Sequence, residues 1–214
     1  MWYVLEYSLT GCRILDRVFN KKPATILVYG PAGAGKTTLL LHISRRLSCH
    51  GEKALFISTE GLQYQPRVSM HPDWFRNILF TEIDCFDKQL DFVLRTIPFT
   101  RYKYIFFDTI NSLYRLEAYR EDSIEKLGLV LAILCSHVIE CNGLLIASAQ
   151  VRAIEDEREF IASGMKILEY WFDVIARLER VDGKRVLTIV KPSSYRDIAI
   201  EYSITDKGIM WIGC

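Results

Sequence analysis

The chain has 214 residues, half of them hydrophobic, with 27 Lys plus Arg against 26 Asp plus Glu and a formal net charge of +1. That length suits one domain with a sizeable core, and the even charge excludes a strongly basic footprint, so any contact with single-stranded DNA is expected to be weak and salt-sensitive. The six cysteines, Cys12, Cys49, Cys85, Cys135, Cys141 and Cys214, form no C-x-x-C pair of metal-ligand spacing and are expected to be free thiols in a reducing compartment.

The N-terminal run Met1 to Tyr7 has no basic region followed by an apolar stretch, so it reads as no signal peptide. The longest apolar stretch, Leu127 to Ile139, is broken by Ser136 and His137 and is too short to span a bilayer. A soluble, cytoplasmic protein without membrane partners is expected.

In chain order, residues 1–20 read as a short cap, and Ile26 to Tyr29 as the first buried strand. A helix is expected from Thr37 to Ser48, strands over Ala54 to Ser58 and Ile78 to Thr81, and a helix from Asp87 to Ile97 that stops at Pro98. Tyr104 to Phe107 is a further strand. Ser123 to Glu140 is a long helix, apolar nearly all round and therefore expected to be covered on both sides. Leu144 to Ser148 completes the set of buried strands. This alternation predicts an α/β fold, a mostly parallel sheet with crossover helices. After about residue 172 the pattern changes. Val174 to Val181 and Arg185 to Val190 flank Asp182-Gly183, a hairpin signal, and Ile198 to Ile204 and Ile209 to Ile212 flank Asp206-Lys207-Gly208. Antiparallel strands are expected to extend the sheet, giving one domain over residues 1–214.

The segment Gly30-Pro31-Ala32-Gly33-Ala34-Gly35-Lys36-Thr37 fits the phosphate-binding pattern G-x-x-x-x-G-K-[ST]. Such a loop must aim successive backbone N–H groups into one concavity, which glycine permits, while the following helix turns its positive end toward the anion. Lys36 is suited to the β- and γ-phosphates, Thr37 to Mg²⁺, and Thr38 closes the nucleotide-binding set. A P-loop needs a carboxylate to organise Mg²⁺. Asp108 ends the strand Tyr104-Ile105-Phe106-Phe107, and a strand lying beside the P-loop strand would place it near Thr37. Glu60, at the end of another strand, is either an exposed strand-end carboxylate or the base that activates water. ATP and Mg²⁺ are thus the expected substrate and metal.

The order of these groups resembles that of RecA-type ATPases. Thr59-Glu60-Gly61 followed by Pro66-Arg67 is similar to the T-E-G-x-x-x-P-E-R stretch of archaeal and eukaryotic RecA-family recombinases, and Asp108 to Arg115 resembles their D-S-x-T-A-L-Y-R. Leu144 to Gln150 resembles their strand ending in N-Q, Trp171 to Glu179 their W-S-D-x-I-x-R-L-E, and Ile204 to Ile209 their closing I-T-D-x-G-I. The resemblance covers residues 8–212 and points to short archaeal paralogues of the RadB or RadC kind, with KaiC-like ATPases as near relatives.

It implies a RecA-like core, slow Mg-dependent ATP hydrolysis, catalytic roles for Glu60, Lys36 and Gln150, and an accessory function in homologous recombination. The partners it implies are single-stranded DNA and a RadA-type recombinase or other repair protein, and self-association is open. In this resemblance Gln150 senses the γ-phosphate, Lys191 reaches ATP on a neighbouring subunit, and Arg115 and Arg120 lie near the first DNA-binding loop. The second loop maps to Val151 to Lys166, where Glu155, Asp156, Glu157 and Glu159 accompany Arg152 and Arg158 and argue against tight phosphate binding. The chain leaves no room for RadA's helical N-terminal domain and shows no clear Phe-x-x-Ala linker, so filament formation is not implied, and with Gly164-Met165 in place of the family's glycine pair beside that acidic loop, neither is strand exchange. The alternatives are a KaiC-like regulatory ATPase acting on protein partners and a small-molecule kinase. The kinase is disfavoured because the chain lacks a compact Arg-rich lid.

Overall fold

The computed structural model describes residues 3–4, 7–154, 157–162 and 164–214. Two short strands, β1 (Tyr3–Val4) and β2 (Lys21–Lys22), pair with each other and flank the helix α1 (Arg13–Phe19). The main sheet begins with β3 (Ala24–Gly30), followed by α2 (Lys36–Cys49), β4 (Ala54–Ser58), α3 (Gln65–Met70), β5 (Ile78–Glu82), α4 (Phe86–Arg95) and β6 (Tyr104–Asp108). Then come α5 (Ser112–Glu117), α6 (Ser123–Glu140), β7 (Leu144–Ile154), β8 (Glu157–Ala162) and α7 (Met165–Trp171). The chain closes with β9 (Val174–Val181), β10 (Lys184–Lys191), β11 (Ala199–Thr205) and β12 (Gly208–Ile212).

The strand order is β12-β11-β10-β9-β3-β7-β6-β4-β5, with β8 paired to β7 off this path. From β9 to β5 every neighbour is parallel, and β10, β11 and β12 continue antiparallel. The period of two along each strand divides the apolar residues between two cores. Ile26, Val28, Phe56 and Phe106 pack with α1 and α2. Leu27, Tyr29, Ile57, Ile105 and Phe107 pack with α4, α5, α6 and α7.

Several expectations need correction. Asp108's strand is not beside the P-loop strand, because β7 lies between β3 and β6. Helix α6 has the expected limits but is not covered all round: the sheet takes one side, its helical neighbours flank it, and Ile124, Leu129 and Ile139 stay exposed. Strand β7 runs past Ser148 to Ile154, because β8 folds back on it from Val151 onward. The thiols are not all free. Cys12 and Cys214 form a disulfide with Cα atoms 5.3 Å apart, a pairing hidden by its separation of 202 residues, whereas Cys49, Cys85, Cys135 and Cys141 are free.

The expected cap is built into the core, with Leu9, Cys12, Leu15 and Phe19 fully buried. His42 of α2 fastens it. Its Nε2 faces the Thr10 carbonyl at 2.9 Å, and its Nδ1 faces the Ile209 N–H at 3.3 Å. A carbonyl only accepts and an N–H only donates, so the ring is neutral with its proton on Nε2. Burial pushes its pKa down to about 4, against the opposing bond to Thr10. The unfolded chain, with His42 near its usual 6.5, therefore takes up a proton that the folded chain refuses. This contribution to stability is intact above about pH 6.5 and declines as the pH falls toward 4. Between pH 7 and 5 the loss should be about 2 kcal/mol. The expected outcome is that urea denaturation of the wild type shows this decline and that His42→Gln, less stable at pH 7, lacks that part of the slope.

Candidate nucleotide-binding site

The parallel strands end at one edge, and their in-register pairing decides what meets there. Gly30 of β3 lies opposite Gln150 of β7, and Ser58 of β4 opposite Asp108 of β6. Glu60 follows β4 by two residues. The result is a cavity of about 440 Å³ lined among others by Gly30, Lys36, Thr37, Glu60, Arg115 and Gln150. Thr38, Ala32, Gly33, Gly35, Gln63, Arg67, Val151 and Ile204 also line it.

The P-loop is held from behind. A Cβ on Gly30 would lie 2.1 Å from the Leu178 carbonyl oxygen of β9, so the close approach of two strands requires glycine there. Gly35 has φ +104°, and a side chain on it would meet Ile204 at 2.8 Å. The Tyr202 hydroxyl of β11 donates to the Ala34 carbonyl at 2.6 Å. Lys36 is buried at the start of α2 and donates to the carbonyls of Gly30 and Pro31 at 2.8 and 3.1 Å. Its pKa is lowered by burial, an effect opposed by Glu60 and Asp108 and reinforced by Arg115.

Asp108 reaches Thr37 although its strand is one removed from β3. Its carboxylate accepts from Ser148 Oγ, which projects from the intervening strand β7, and lies near enough to the Thr37 side chain to be influenced by it. Burial raises its pKa, while Ser148, Thr37 and the charge of Lys36 oppose that rise. A hydroxyl and a carboxylate side by side are hard oxygen donors of the kind Mg²⁺ takes alongside phosphate oxygens and water. Among the described residues no group of three or more His, Cys, Asp or Glu side chains could hold a metal. The pair fits a divalent metal of that kind. Thr37 and Asp108 would hold it, and its charge would keep Asp108 ionised.

Glu60 is not a free strand-end group. It accepts from Thr109 Oγ1 at 3.1 Å and from Gln150 Nε2. Gln150 is fixed at both ends: its Oε1 accepts from Arg115 Nη1 at 2.6 Å, and its backbone is clamped by Asn111 through bonds of 2.9 and 3.0 Å. Thr59 bonds the backbone of Thr109 and holds β4 to the turn after β6.

Lys36, Glu60, Gln150 and Thr37 are therefore brought together with the loop. Within the loop the Pro31 carbonyl accepts from the Ala34 N–H and from Lys36, while the Ala34 carbonyl accepts from Tyr202 outside it. Lys191 is elsewhere: its Nζ donates to the Glu169 and Phe172 carbonyls at 2.7 and 2.6 Å, at the C-terminal end of α7. Arg120 pairs with Glu117 and Asp122 on the surface. Arg115 faces the nucleotide cavity. Glu155 and Asp156 lie outside the described residues, as do the side chains of Arg152, Glu157, Arg158 and Glu159. Tyr64 and Phe75 are packing residues. Tyr64 donates to Glu82 and stacks on Phe80, and Trp74 lies between His71 and Arg45. Ser148, Thr109 and Asn111 were missed as functional residues. Only Asn111 carried a signal, its place three residues after Asp108.

Comparison with known proteins agrees with this geometry. The AAA domain family matches residues 22–126. The DNA repair and recombination protein RadB of Methanocaldococcus jannaschii is 29% identical over 194 residues, 85% of this chain and 90% of that protein. RadB of Halobacterium salinarum is 26% identical over 94% of this chain and 93% of its own length. The chain is thus similar, over most of its length, to proteins named RadB. A crystal structure of the RadB recombinase superposes with a TM-score of 0.76 at 23% identity, over 94% of this chain and 98% of that one. A KaiC-like protein of Pyrococcus horikoshii gives 0.71 at 18%, over 99% and 100%. The fold of the chain is thus the RecA-like P-loop core, with antiparallel strands at its C-terminal side. Among the described residues no helix is long and apolar enough to cross a membrane.

Asn111 is fully buried and satisfies two backbone groups of Gln150. Asn111→Ala should therefore cost about 2–3 kcal/mol in chemical denaturation, since each buried group left unpaired is expensive, and should weaken ATP binding as the end of β7 loosens.

Proposed function

We propose that the chain is a single-domain, Mg-dependent ATPase that serves as an accessory factor in homologous recombination and DNA repair. The observation that carries the enzymatic part is the joint lining of one cavity by Lys36, Thr37 and Glu60, with Asp108 buried beside Thr37. One member suits phosphate charge, one pair suits the metal, and a carboxylate suits an attacking water. In this reading Lys36 and the loop from Gly30 to Thr38 bind ATP, Thr37 and Asp108 hold Mg²⁺, Glu60 is the general base, and Gln150 senses the γ-phosphate. The biological part rests on similarity over most of the chain to proteins named for DNA repair and recombination. The KaiC-like regulatory reading has a fold likeness at 18% identity as its support, so the recombination reading is preferred. A RadA-type recombinase and single-stranded DNA are the proposed partners, and the cytoplasm the proposed location.

Lys36→Ala should weaken Mg·ATP binding on the order of 10²-fold or more by calorimetry, because the charge on the β- and γ-phosphates is lost. Glu60→Gln should leave affinity nearly unchanged while turnover falls on the order of 10²-fold. Persistent turnover in Glu60→Gln would place the base elsewhere.

Single-stranded DNA should change ATP turnover and bind weakly. Net charge is near zero, Arg120 is ion-paired and Arg115 points into the cavity, so few cations are available for phosphates. The slope of log affinity against log salt should stay below about 4 in magnitude. Titration of a labelled oligonucleotide at several salt concentrations measures it. Absence of binding with ATP and Mg²⁺ at low salt would favour the regulatory reading.

A further inference from the structure

The geometry points to Arg115 as the cation that meets the transferring γ-phosphoryl group, supplied by the same chain that binds the nucleotide. The assignment rests on the reading of the cavity as an ATP-hydrolysing site and adds a residue to it. Arg115 stands on α5, in the turn of helix that follows the strand carrying Asp108. Its guanidinium lines the P-loop cavity. It is near enough to Lys36 for its charge to act on that side chain.

Its bonding leaves donors for an anion. One Nη1 bond runs to Gln150 Oε1, and Nε is buried without a partner among the described residues. Arg115 appears in no ion pair among the described residues, whereas Arg120, five positions later, is held by two carboxylates. Gln150 in turn reaches Glu60, so the guanidinium lies one side chain away from the carboxylate that would face the attacking water. Lys36 approaches the same space from the P-loop side.

The basic residue expected to act across a subunit boundary cannot fill this role as it stands. Lys191 is engaged by two carbonyls at the end of α7. A guanidinium contributed in cis makes the site complete within one chain.

The step it serves is balanced by the groups already named. The water oxygen forms a bond to the γ-phosphorus, and its proton passes to the Glu60 carboxylate. The bond from the γ-phosphorus to the β,γ-bridging oxygen breaks, and ADP leaves with that electron pair. Negative charge grows on the bridging oxygen and is spread over the equatorial oxygens as this happens, and a fixed guanidinium is most effective at that moment.

The test compares wild type, Lys36→Ala, Arg115→Ala and Arg115→Lys by two readouts: turnover, and the tightening of Mg·ADP binding when aluminium fluoride is added as a mimic of the transferring group. Arg115→Ala should bind ADP within about threefold of wild type, which also verifies its fold. Its turnover should fall on the order of 10²–10³-fold, and most of the aluminium fluoride tightening should disappear. Arg115→Lys should recover part of both, since it keeps the charge and loses the planar fork. Should Arg115→Ala fail to bind ADP, Arg115→Lys decides alone, with reduced tightening expected at normal ADP affinity. Mixing Lys36→Ala with Arg115→Ala should restore no activity. Wild-type tightening in both Arg115 variants would overturn the assignment, and recovery on mixing would overturn its cis character. A wild type showing neither turnover nor tightening would instead overturn the hydrolytic reading on which the assignment rests.

Discussion

The register of four neighbouring parallel strands is the constraint on which the site depends. Gly30 is level with Gln150 and Ser58 with Asp108, the second pair two residues short of the first, because β3, β7, β6 and β4 pair without a slip. A shift of one residue in any strand would turn its buried set toward the opposite core. With both faces of the sheet covered, such a shift is penalised along the whole strand. Packing thus positions the chemistry: apolar pairing tens of atoms away determines that Ser148 stands between Asp108 and the P-loop side.

That intervening strand changes how the two halves of the site communicate. β7 contributes Ser148 to the carboxylate of Asp108 and Gln150 to the carboxylate of Glu60, two residues apart on the same face. A displacement of β7 along its axis acts on both at once. The same strand continues to Ile154 and pairs with β8, so an event on that hairpin has a covalent route to the cavity. Asn111 resists such a displacement by fixing the backbone of Gln150 to the turn after β6.

Local rules made much of this legible. The loop from Gly30 to Thr37, the strand-end positions of Glu60 and Asp108 and the limits of α6 follow from glycine chemistry, hydrophobic runs and the period of 3.6. The resemblance supplied Gln150. What stayed hidden depends on which strands become neighbours. Nothing in Tyr104 to Asp108 indicates that β7 would be inserted between it and the P-loop strand, and so Ser148 carried no signal. Short elements such as α3, α5 and α7 lie below the length at which periodicity is informative. The partners of Lys191 and Arg115 stayed hidden for the same reason: a side chain's partner is set by packing, and residue type alone left its direction open. The Cys12–Cys214 pair has a sequence separation that no pattern reading reaches.

The brace behind the phosphate loop has a consequence for how the protein is made. The loop is synthesised early, yet Gly30 is seated against Leu178, and the Ala34 carbonyl is held by Tyr202. Those supports emerge from the ribosome long after the loop, and chains fold broadly from their N-terminal side as they appear. A nascent chain therefore carries the complete phosphate-binding sequence for most of its synthesis without the scaffold that shapes it. The phosphate loop thus gains its last supports only when β9 and β11 have docked.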